Sequence, residues 1–328
     1  MLRIGVLGAG RIGKIHAANA AAHPRAKLVA VFDVDQAAAQ ALAASAAAEV
    51  RSREAIIDGS DIDAVLICTP TDTHCDLIEA AMKAGKAVFS EKPVDLSAAR
   101  VRTCLEIVAR AGRPLMIGFN RRFDPSFATV ERRVRTGEVG AVELVTIISK
   151  DPGPPPLSYI ARSGGLFRDM MIHDLDMARF LLGEEPVEIF AHASNLVDPG
   201  IGQAGDVDTA VVTMKTASGK IAHIANSRRA TYGYDQRIEV HGSDGLLRAG
   251  NKTQTSVEAG TKAGFATDPA LPFFLERYEM AYRLELDAFI TAIESGRAPS
   301  PDGEDGLKAL VLADAATESA SSGKPVKI

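Results

Sequence analysis

The sequence predicts an α/β protein of two domains, the first built on a parallel sheet and the second an α+β unit with a large, mostly antiparallel, open-faced sheet. Up to residue 120, short apolar runs alternate with helix-like segments, which is typical of parallel strands covered on both faces. Beyond residue 120, strand-like runs follow one another with Gly, Ser and Asp turns between them. We therefore predict domains at 1–120 and 121–328, and a length of 328 residues suits two domains.

The first domain is predicted to alternate strands and helices from its first residues. Apolar runs that end in Gly, Asp, Thr, Pro or Asn predict the strands, and longer segments of helical periodicity predict the helices. The predicted strands cover 2–10, 27–35, 64–70, 87–93 and 114–120, and the predicted helices cover 12–22, 36–48, 74–85 and 96–112.

The second domain is predicted to contain more consecutive strands and fewer helices. The strands are predicted at 141–151, 187–196, 208–219, 220–230 and 237–250, and the helices at 125–136, 164–186, 273–296 and 305–323. A sheet with one face free of helices offers a surface on which subunits can meet.

The composition excludes several classes of protein. The chain is 46% hydrophobic and 24% charged, which is ordinary for a soluble folded protein, and its net charge of −5 argues against nucleic acid or an anionic membrane as the partner. Its cysteines, Cys68, Cys75 and Cys104, form no C-x-x-C pair, so we expect no disulfide framework and no zinc cluster. The first residues resemble no secretory leader, and no apolar run reaches the roughly 18–20 residues of a membrane span, so we expect a cytoplasmic protein.

A glycine-rich turn between the first strand and the first helix indicates a dinucleotide site. Gly8, Gly10 and Gly13 form the pattern G-x-G-x-x-G, which permits a tight turn, close approach of backbone amides to a diphosphate, and close packing of helix on strand. Because strand and helix flank it, the motif predicts a Rossmann domain. Arg11 and Ile12, inside the motif, are included in the predicted cofactor site.

An acidic residue at the end of the second strand indicates which dinucleotide binds. Asp33 lies about 20 residues after Gly13, where a carboxylate can accept hydrogen bonds from the adenosine ribose and repel a 2′-phosphate, so NAD is favoured over NADP. Asp33 could instead cap the next helix or face water, and Asp35 could take the ribose role. Thr69 and Thr71 follow the third strand and are predicted to line the cofactor, together with His74 and Glu91.

A lysine and a histidine are the candidate catalytic groups. Lys92 ends the fourth strand before Pro93, where its ammonium could hydrogen-bond a substrate oxygen, although most lysines are simply on the surface. Asp169 and His173 lie four residues apart in the predicted helix 164–186, so they share a face, and a neutral imidazole is a suitable base near neutral pH. The alternative is a core histidine paired with Asp174 or Asp176.

Four segments resemble the Gfo/Idh/MocA oxidoreductase family: "GAGRIGKIHA", "EKPVDLS", "GFNRRFDPSF" and "GGLFRDMMIHDLDMARFLLGEEP". A fifth, "SRRATYGYDQRIEVHGSDG", resembles most the branch of that family that oxidises inositols. The resemblance implies a Rossmann domain, an open antiparallel sheet that often builds tetramers, and a catalytic trio matching Lys92, Asp169 and His173. It also implies substrate contacts by Tyr232 and Tyr234.

Further substrate contacts are predicted from position. Asn120 and Arg122 follow the fifth strand, and Asp151 precedes a proline-rich loop that could line a sugar pocket. The other histidines, including His16, have no comparable neighbours in the sequence, and we expect no metal.

Two classes of function remain open at this point. The first is an NAD-dependent dehydrogenase of a small polyol, with myo-inositol first and another inositol isomer or a pyranose as alternatives. The second is a non-catalytic NAD-sensing regulator of the same fold, which the presence of all three catalytic candidates disfavours. A homotetramer is expected from the resemblance.

Overall fold

The computed structural model describes residues 1–328, apart from the side chain of residue 161. The chain divides into two compact units, Met1–Phe123 with Met280–Leu310, and Asp124–Glu279 with Val311–Ile328. The observed division differs from the predicted domains, because 280–310 was assigned to the second domain and belongs to the first unit. The reason is apolar burial, since Leu286, Phe289 and Ile290 lie in the same core cluster as the first strands. Among the described residues, no helix is both long and apolar enough to cross a membrane.

The first unit contains a six-stranded parallel sheet with the strand order β3-β2-β1-β4-β5-β6. The strands are β1 (Leu2–Leu7), β2 (Ala26–Phe32), β3 (Glu49–Val50), β4 (Ala64–Ile67), β5 (Ala87–Ser90) and β6 (Leu115–Ile117). The helices before residue 120 are α1 (Arg11–Ala22), α2 (Gln36–Ser45), α3 (Arg53–Ile57), α4 (His74–Lys83) and α5 (Ala98–Ala111). The parallel sheet confirms the predicted fold class. The short elements β3 and α3 were not predicted, because they contain too few residues to show a period.

The order of the strands defines where a ligand can bind. The chain proceeds outward from β1 to β3 on one side and from β4 to β6 on the other, so the order reverses between β1 and β4. In open sheets of this kind, ligands bind outside the carboxyl ends of the strands at that reversal. Strands β4, β5 and β6 are buried at every residue, which accounts for their continuous apolar runs.

The second unit contains a seven-stranded sheet with the order β12-β11-β7-β10-β9-β8-β15, in which β7 and β10 are parallel and the other pairs antiparallel. The strands are β7 (Val142–Lys150), β8 (Pro186–Ser194), β9 (Thr209–Thr216), β10 (Ile221–Ser227), β11 (Asp235–Gly242), β12 (Gly245–Ala249), β15 (Val326–Lys327) and a separate hairpin of β13 (Glu258–Thr261) and β14 (Gly264–Thr267). The helices from residue 124 onward are α6 (Pro125–Arg135), α7 (Leu157–Ser163), α8 (Gly165–Asp169), α9 (Ile172–Leu182), α10 (Pro199–Gln203), α11 (Phe274–Arg277), α12 (Glu279–Ser295) and α13 (Gly303–Ser322). Nearly all of α12 and the first part of α13 belong to the first unit. The mostly antiparallel sheet is as predicted.

The helix predicted over 164–186 is wrong as a single helix and is two helices, α8 and α9. Gly164 and Gly165 have φ values of 86° and 83°, in the left-handed region. The chain turns there, and the first helix begins at Gly165. The amides of Met170 and Met171 both donate to the carbonyl of Leu166, which interrupts the regular hydrogen-bond ladder. Asp169 therefore ends one helix, and His173 lies in the first turn of the next.

Two further differences are also interruptions of long predicted elements. The strand predicted over 237–250 is the hairpin β11–β12, which turns between Gly242 and Gly245. The helix predicted over 273–296 is two helices, α11 and α12, because Tyr278 leaves the helical conformation between them. Composition and period do not reveal such breaks inside an apolar run.

The two faces of the second sheet differ in their cover. One face packs on helix α9, and its residues, such as Ile147, Val212 and Ile224, are buried. The residues on the opposite face are more exposed, with 39% of Leu144, 40% of Val211 and 44% of Ile221 accessible. The alternation along each strand produces the open face that the sequence predicted.

Candidate active site

Two of the three motif glycines are required by the packing of the protein itself. Gly8 has φ +105°, and a Cβ added there would lie 2.5 Å from the carbonyl oxygen of Cys68. A Cβ added to Gly13 would lie 1.9 Å from the carbonyl oxygen of Gly8. A side chain at either position would push apart the turn, the first helix and β4, so these glycines shape the loop.

The third glycine faces space that the protein does not use. Gly10 is the N-cap of α1, and a Cβ added there would meet no atom within 4 Å among the residues that the structure describes. A glycine contributes no side-chain oxygen to the first-turn amides, so a diphosphate can take that place at the positive end of the helix. The adjoining Arg11 is exposed, and Ile12 packs partly against the core. These residues fit a bound NAD.

Asp33 lies against the glycine-rich turn, and Asp35 has a different task. One carboxylate oxygen of Asp33 accepts a hydrogen bond from the amide of Ala9 at 2.5 Å, and the other accepts one from the amide of Asp35 at 2.8 Å. Asp35 caps helix α2 through the amides of Ala37 and Ala38. The helix cap considered for Asp33 is therefore provided by Asp35, while the contact of Asp33 with a ribose stays a prediction.

His74 connects the loops that follow β4 and β5. Its ring is buried, with Nε2 lying 2.8 Å from the carbonyl oxygen of Thr69 and Nδ1 lying 2.8 Å from that of Pro93. Burial lowers the pKa of His74, and the hydrogen bonds to the two carbonyl oxygens act in the opposite direction. The hydroxyl of Thr69 also contacts that of Thr73 at 2.6 Å, and Thr71 begins the short 3₁₀ helix between them. The geometry indicates that His74 braces the loops, and direct contact with the cofactor stays a prediction.

The glutamate before Lys92 is held by a buried cluster that sequence reasoning missed. Glu91 Oε1 lies 2.7 Å from Nε2 of His16, and Glu91 Oε2 accepts a hydrogen bond from the backbone amide of Lys92 at 3.3 Å. Glu285, on α12, is fully buried, with Oε1 lying 4.0 Å from the same imidazole nitrogen. Burial, and secondarily the charge of Glu91, raise the pKa of Glu285 well above its usual range, so that side chain is a neutral acid.

The cluster has the residue types of a metal site, and one pair within it is joined by a hydrogen bond. The ligand atoms of His16, Glu91 and Glu285 lie within 4.8 Å of one another. The 2.7 Å separation of His16 and Glu91 is a direct hydrogen bond, whereas both carboxylate oxygens of Glu285 are buried without a hydrogen-bond partner among the described residues. The sequence indicates no role for His16, because its partners Glu91 and Glu285 lie 75 and 269 residues further along the chain. No local motif could have revealed them.

Asn120 and Arg122 lie in the 3₁₀ helix that follows β6. The guanidinium of Arg122 is nearly buried, and its two terminal nitrogens lie 3.2 and 2.9 Å from the carboxylate oxygens of Asp305. Asn120 is also buried. Because Asp305 engages the guanidinium, Arg122 would contact a substrate only through its remaining donors, and both substrate contacts stay predictions.

In the second unit, strand register gathers several predicted residues at one end of the sheet. Ser227, the last residue of β10, pairs with Lys150, the last residue of β7, and Lys150 also pairs with Asp235 at the start of β11. The amide of Asp151 donates to the carbonyl of Ser227 at 2.9 Å. Asp151 and the beginning of β11, which follows the predicted tyrosines, therefore lie at the same end of the sheet.

Helix α9 is fixed to this end of the sheet by a buried hydrogen bond. The side-chain amide of Asn226, next to the end of β10, donates a hydrogen bond to the carboxylate of Asp174 of α9 at 3.0 Å. His173 precedes Asp174 in α9 and is half-buried. Asp176 contacts Arg179 at 3.4 Å. Each of the two acids suggested as partners of a core histidine binds another side chain, and the role of His173 as a base stays a prediction.

Asp169 has partners that the sequence did not indicate. The hydroxyl of Tyr159, on α7, donates to Asp169 Oδ1 at 2.9 Å. Nη2 of Arg228 lies 3.6 Å from Asp169 Oδ2. A tyrosine ten residues before Asp169 and an arginine 59 residues after it share no local pattern with the acid, so only the folded chain reveals the group.

The two predicted tyrosines have different surroundings. Tyr232 is 53% exposed, and its hydroxyl donates to Asp235 at 2.7 Å. Burial of the hydroxyl, together with this bond, raises the pKa of Tyr232 to about 12. Tyr234 is buried, with its ring edge-on to Phe273 and Tyr278. Tyr232 is available to a ligand, whereas Tyr234 packs in the manner of a core residue.

The parallel sheet and the glycine-rich turn after β1 have the architecture of an NAD-binding oxidoreductase domain. Residues 2–119 match the oxidoreductase family with an NAD-binding Rossmann fold, and residues 127–248 match the GFO/IDH/MocA C-terminal domain. The chain belongs to the Gfo/Idh/MocA family, as the motifs in its sequence indicated.

Relatives of known name match over the full length of the chain. It is 56% identical to the Inositol 2-dehydrogenase of Rhizobium meliloti, over 100% of this chain and 99% of the relative. The solved myo-inositol dehydrogenase of Corynebacterium glutamicum superposes with a TM-score of 0.96 at 45% identity, covering 100% of this chain and 99% of that one. The scyllo-inositol dehydrogenase of Lactobacillus casei, solved with NAD(H) and scyllo-inositol, gives 0.93 at 31% identity, with coverage of 100% and 99%.

Proposed function

We propose that this chain oxidises myo-inositol to 2-keto-myo-inositol (scyllo-inosose) with NAD. The observation that carries the proposal is the full-length similarity, at 56% identity, to a protein named Inositol 2-dehydrogenase. A carboxylate, an imidazole and a tyrosine hydroxyl would suit a polyol, because each group can hydrogen-bond a hydroxyl.

Three side chains would perform the proton chemistry and the orientation. His173 would accept the proton of the reacting hydroxyl at a ring nitrogen, since a neutral imidazole is a base near neutral pH. The ammonium of Lys92 would hydrogen-bond the same oxygen and favour its negative charge. Asp169, held by Tyr159, would accept a hydrogen bond from a neighbouring hydroxyl. NAD, when bound, supplies the acceptor for the hydride of the substrate carbon.

The test is a substrate panel with the purified protein. Initial rates of nicotinamide reduction are measured with myo-inositol, scyllo-inositol, chiro-inositol and glucose, each with NAD and with NADP. We expect the highest kcat/KM for myo-inositol with NAD. No turnover of any polyol would contradict an enzymatic role and favour a regulator.

A second candidate substrate is scyllo-inositol, because a relative of the same fold was solved with it bound. The two isomers differ in the direction of one hydroxyl, so the same acid, base and cofactor site could oxidise either. A higher kcat/KM for scyllo-inositol in the panel would replace the first proposal by the second.

We further propose that the chain forms a homotetramer through the open face of the second sheet. The apolar side chains of Leu144, Val211 and Ile221 on that face support it. Light scattering should give the mass of four chains, and Ile221→Asp should give a smaller species. Val257→Asp, at a residue 64% exposed near the hairpin β13–β14, is the matched control and should remain tetrameric.

We also propose that the protein acts in the cytoplasm, in the breakdown of inositol. The three cysteines are free and buried, which suits a reducing compartment. Fractionation of cells that express the tagged chain checks the location.

A further inference from the structure

The guanidinium of Arg228 is a buried charge that the proposed mechanism does not yet use. Arg228 directly follows β10, and only 1% of its side chain is exposed. Burying a guanidinium is costly unless carboxylates lie close enough to offset the loss of hydration. Two do, because Nη2 lies 3.6 Å from Asp169 Oδ2 and 3.7 Å from Asp206 Oδ2.

The two carboxylates are linked to opposite ends of the short helix α8. Asp169 is its last residue. Asp206 Oδ1 accepts a hydrogen bond from the amide of Leu166 at 2.9 Å, in the first turn. The charge of Arg228 therefore attracts one carboxylate that belongs to the end of the helix and another that is bonded to its beginning.

The backbone of Arg228 is itself well fixed. Its amide donates to the carbonyl of Asp208 at 2.8 Å, and the carboxylate of Asp208 accepts the amides of Leu196, Val197 and Asp198. The guanidinium thus extends from a rigid strand end, which is what a positioning group requires.

We propose that Arg228 is a positioning residue that holds the carboxylate of Asp169 in place for the substrate. Arg228 faces Oδ2 from the protein interior, and Tyr159 binds Oδ1 from the exposed side. The inference rests on the proposed role of Asp169 in polyol oxidation. It assigns to Arg228 no contact with the substrate.

The test compares Arg228→Met, which removes the charge and retains an extended side chain, with Arg229→Met. Arg229 is the adjacent residue and is exposed, and its guanidinium donates a hydrogen bond to the carbonyl oxygen of Leu196 at 3.2 Å. We expect Arg228→Met to lower kcat/KM for the polyol about tenfold or more, because it removes one partner of a buried ion pair. Arg228→Lys should recover part of the loss, and Arg229→Met should stay within about twofold of the wild type.

A double-mutant cycle with Asp169→Asn separates positioning from general damage. If Arg228 acts through Asp169, then adding Arg228→Met to Asp169→Asn should cost no more than about twofold beyond Asp169→Asn alone. Independent, multiplying losses would overturn the inference, as would normal kcat/KM in Arg228→Met. If Arg228→Met does not fold, the same cycle is run with Arg228→Lys.

Hydrogen exchange gives a readout that does not depend on inositol turnover. The amides of α8 should exchange faster in the Arg228 variant than in wild type or in Arg229→Met, and unchanged exchange would overturn the inference. If none of the tested polyols supports reduction of NAD by the wild type, the proposed function fails. The exchange experiment still decides whether Arg228 holds α8.

Discussion

The predicted site residues of the two units are held in place in different ways. In the first unit, backbone conformation dominates, since the glycine-rich turn and the loops after β4 and β5 present amides and carbonyls from short stretches of sequence. In the second unit, side chains dominate, and Asp169 depends on partners from α7 and from the end of β10. Motifs therefore reveal the first kind of site, and only the folded chain reveals the second.

The largest expected effect tests the side-chain chemistry of the second unit. His173→Ala should lower kcat on the order of a hundredfold or more, because the general base is lost. The measurement is steady-state kinetics with saturating NAD and polyol.

A histidine elsewhere on the same unit provides the control. The side chain of His241, on β11, is 52% exposed. His241→Ala should keep kcat within about twofold of the wild type. Near-normal turnover in His173→Ala would remove His173 as the base and weaken the contrast between the units.

The next test separates binding from packing within the glycine-rich turn. Gly13→Ala should destabilise the fold by about 1–3 kcal/mol, because its Cβ would lie 1.9 Å from the carbonyl oxygen of Gly8. Gly10→Ala should leave the melting temperature unchanged and raise the KM for NAD about tenfold, the cost of one charge-assisted hydrogen bond. Equal melting temperatures for both variants would contradict the conclusion that Gly13 is needed for packing and Gly10 for binding NAD.

A smaller effect concerns the choice between NAD and NADP. Asp33→Ala should reduce the preference for NAD about tenfold, through loss of a ribose hydrogen bond and of repulsion toward a 2′-phosphate. Asp35→Ala is the matched control, which should cost about 1 kcal/mol of stability as a lost helix cap and leave the preference unchanged. If Asp35→Ala alone altered the preference, the ribose role would move to Asp35.

The smallest effect is on the pH dependence of stability in the first unit. The pKa of Glu285 is raised in the folded protein, so the folded state holds a proton that the unfolded state releases above its ordinary pKa of about 4.3. The stability contributed by Glu285 is therefore complete at low pH and falls as the pH rises toward the folded-state pKa. Glu285→Gln, which stays neutral, should gain in melting temperature relative to wild type between pH 5 and pH 8, and a constant difference would show that Glu285 does not titrate in this way.

The same contrast explains how much of the molecule could be predicted from the sequence. The parallel strands, the turn at Gly8 and the acid at Asp33 follow from local periods and fixed spacings, and they lie at the expected edge of the sheet. The break between Asp169 and His173 could not be predicted, because Met170 and Met171 suit a helix and only hydrogen bonding reveals the interruption. The roles of Arg228 and Glu285 could not be predicted, because the sequence does not show whether a charged side chain is buried or exposed.

Residues 280–310 belong to the first unit although they follow most of the second unit in the sequence, and this order affects how the newly made protein can fold. A nascent chain that has emerged only to residue 123 lacks Leu286, Phe289 and Ile290, which complete the core around β1 and β5. Apolar surface on the dinucleotide domain therefore stays uncovered until most of the chain has left the ribosome. A fragment that ends at residue 120 should bind chaperones and precipitate, and adding a peptide of residues 280–310 should restore its solubility.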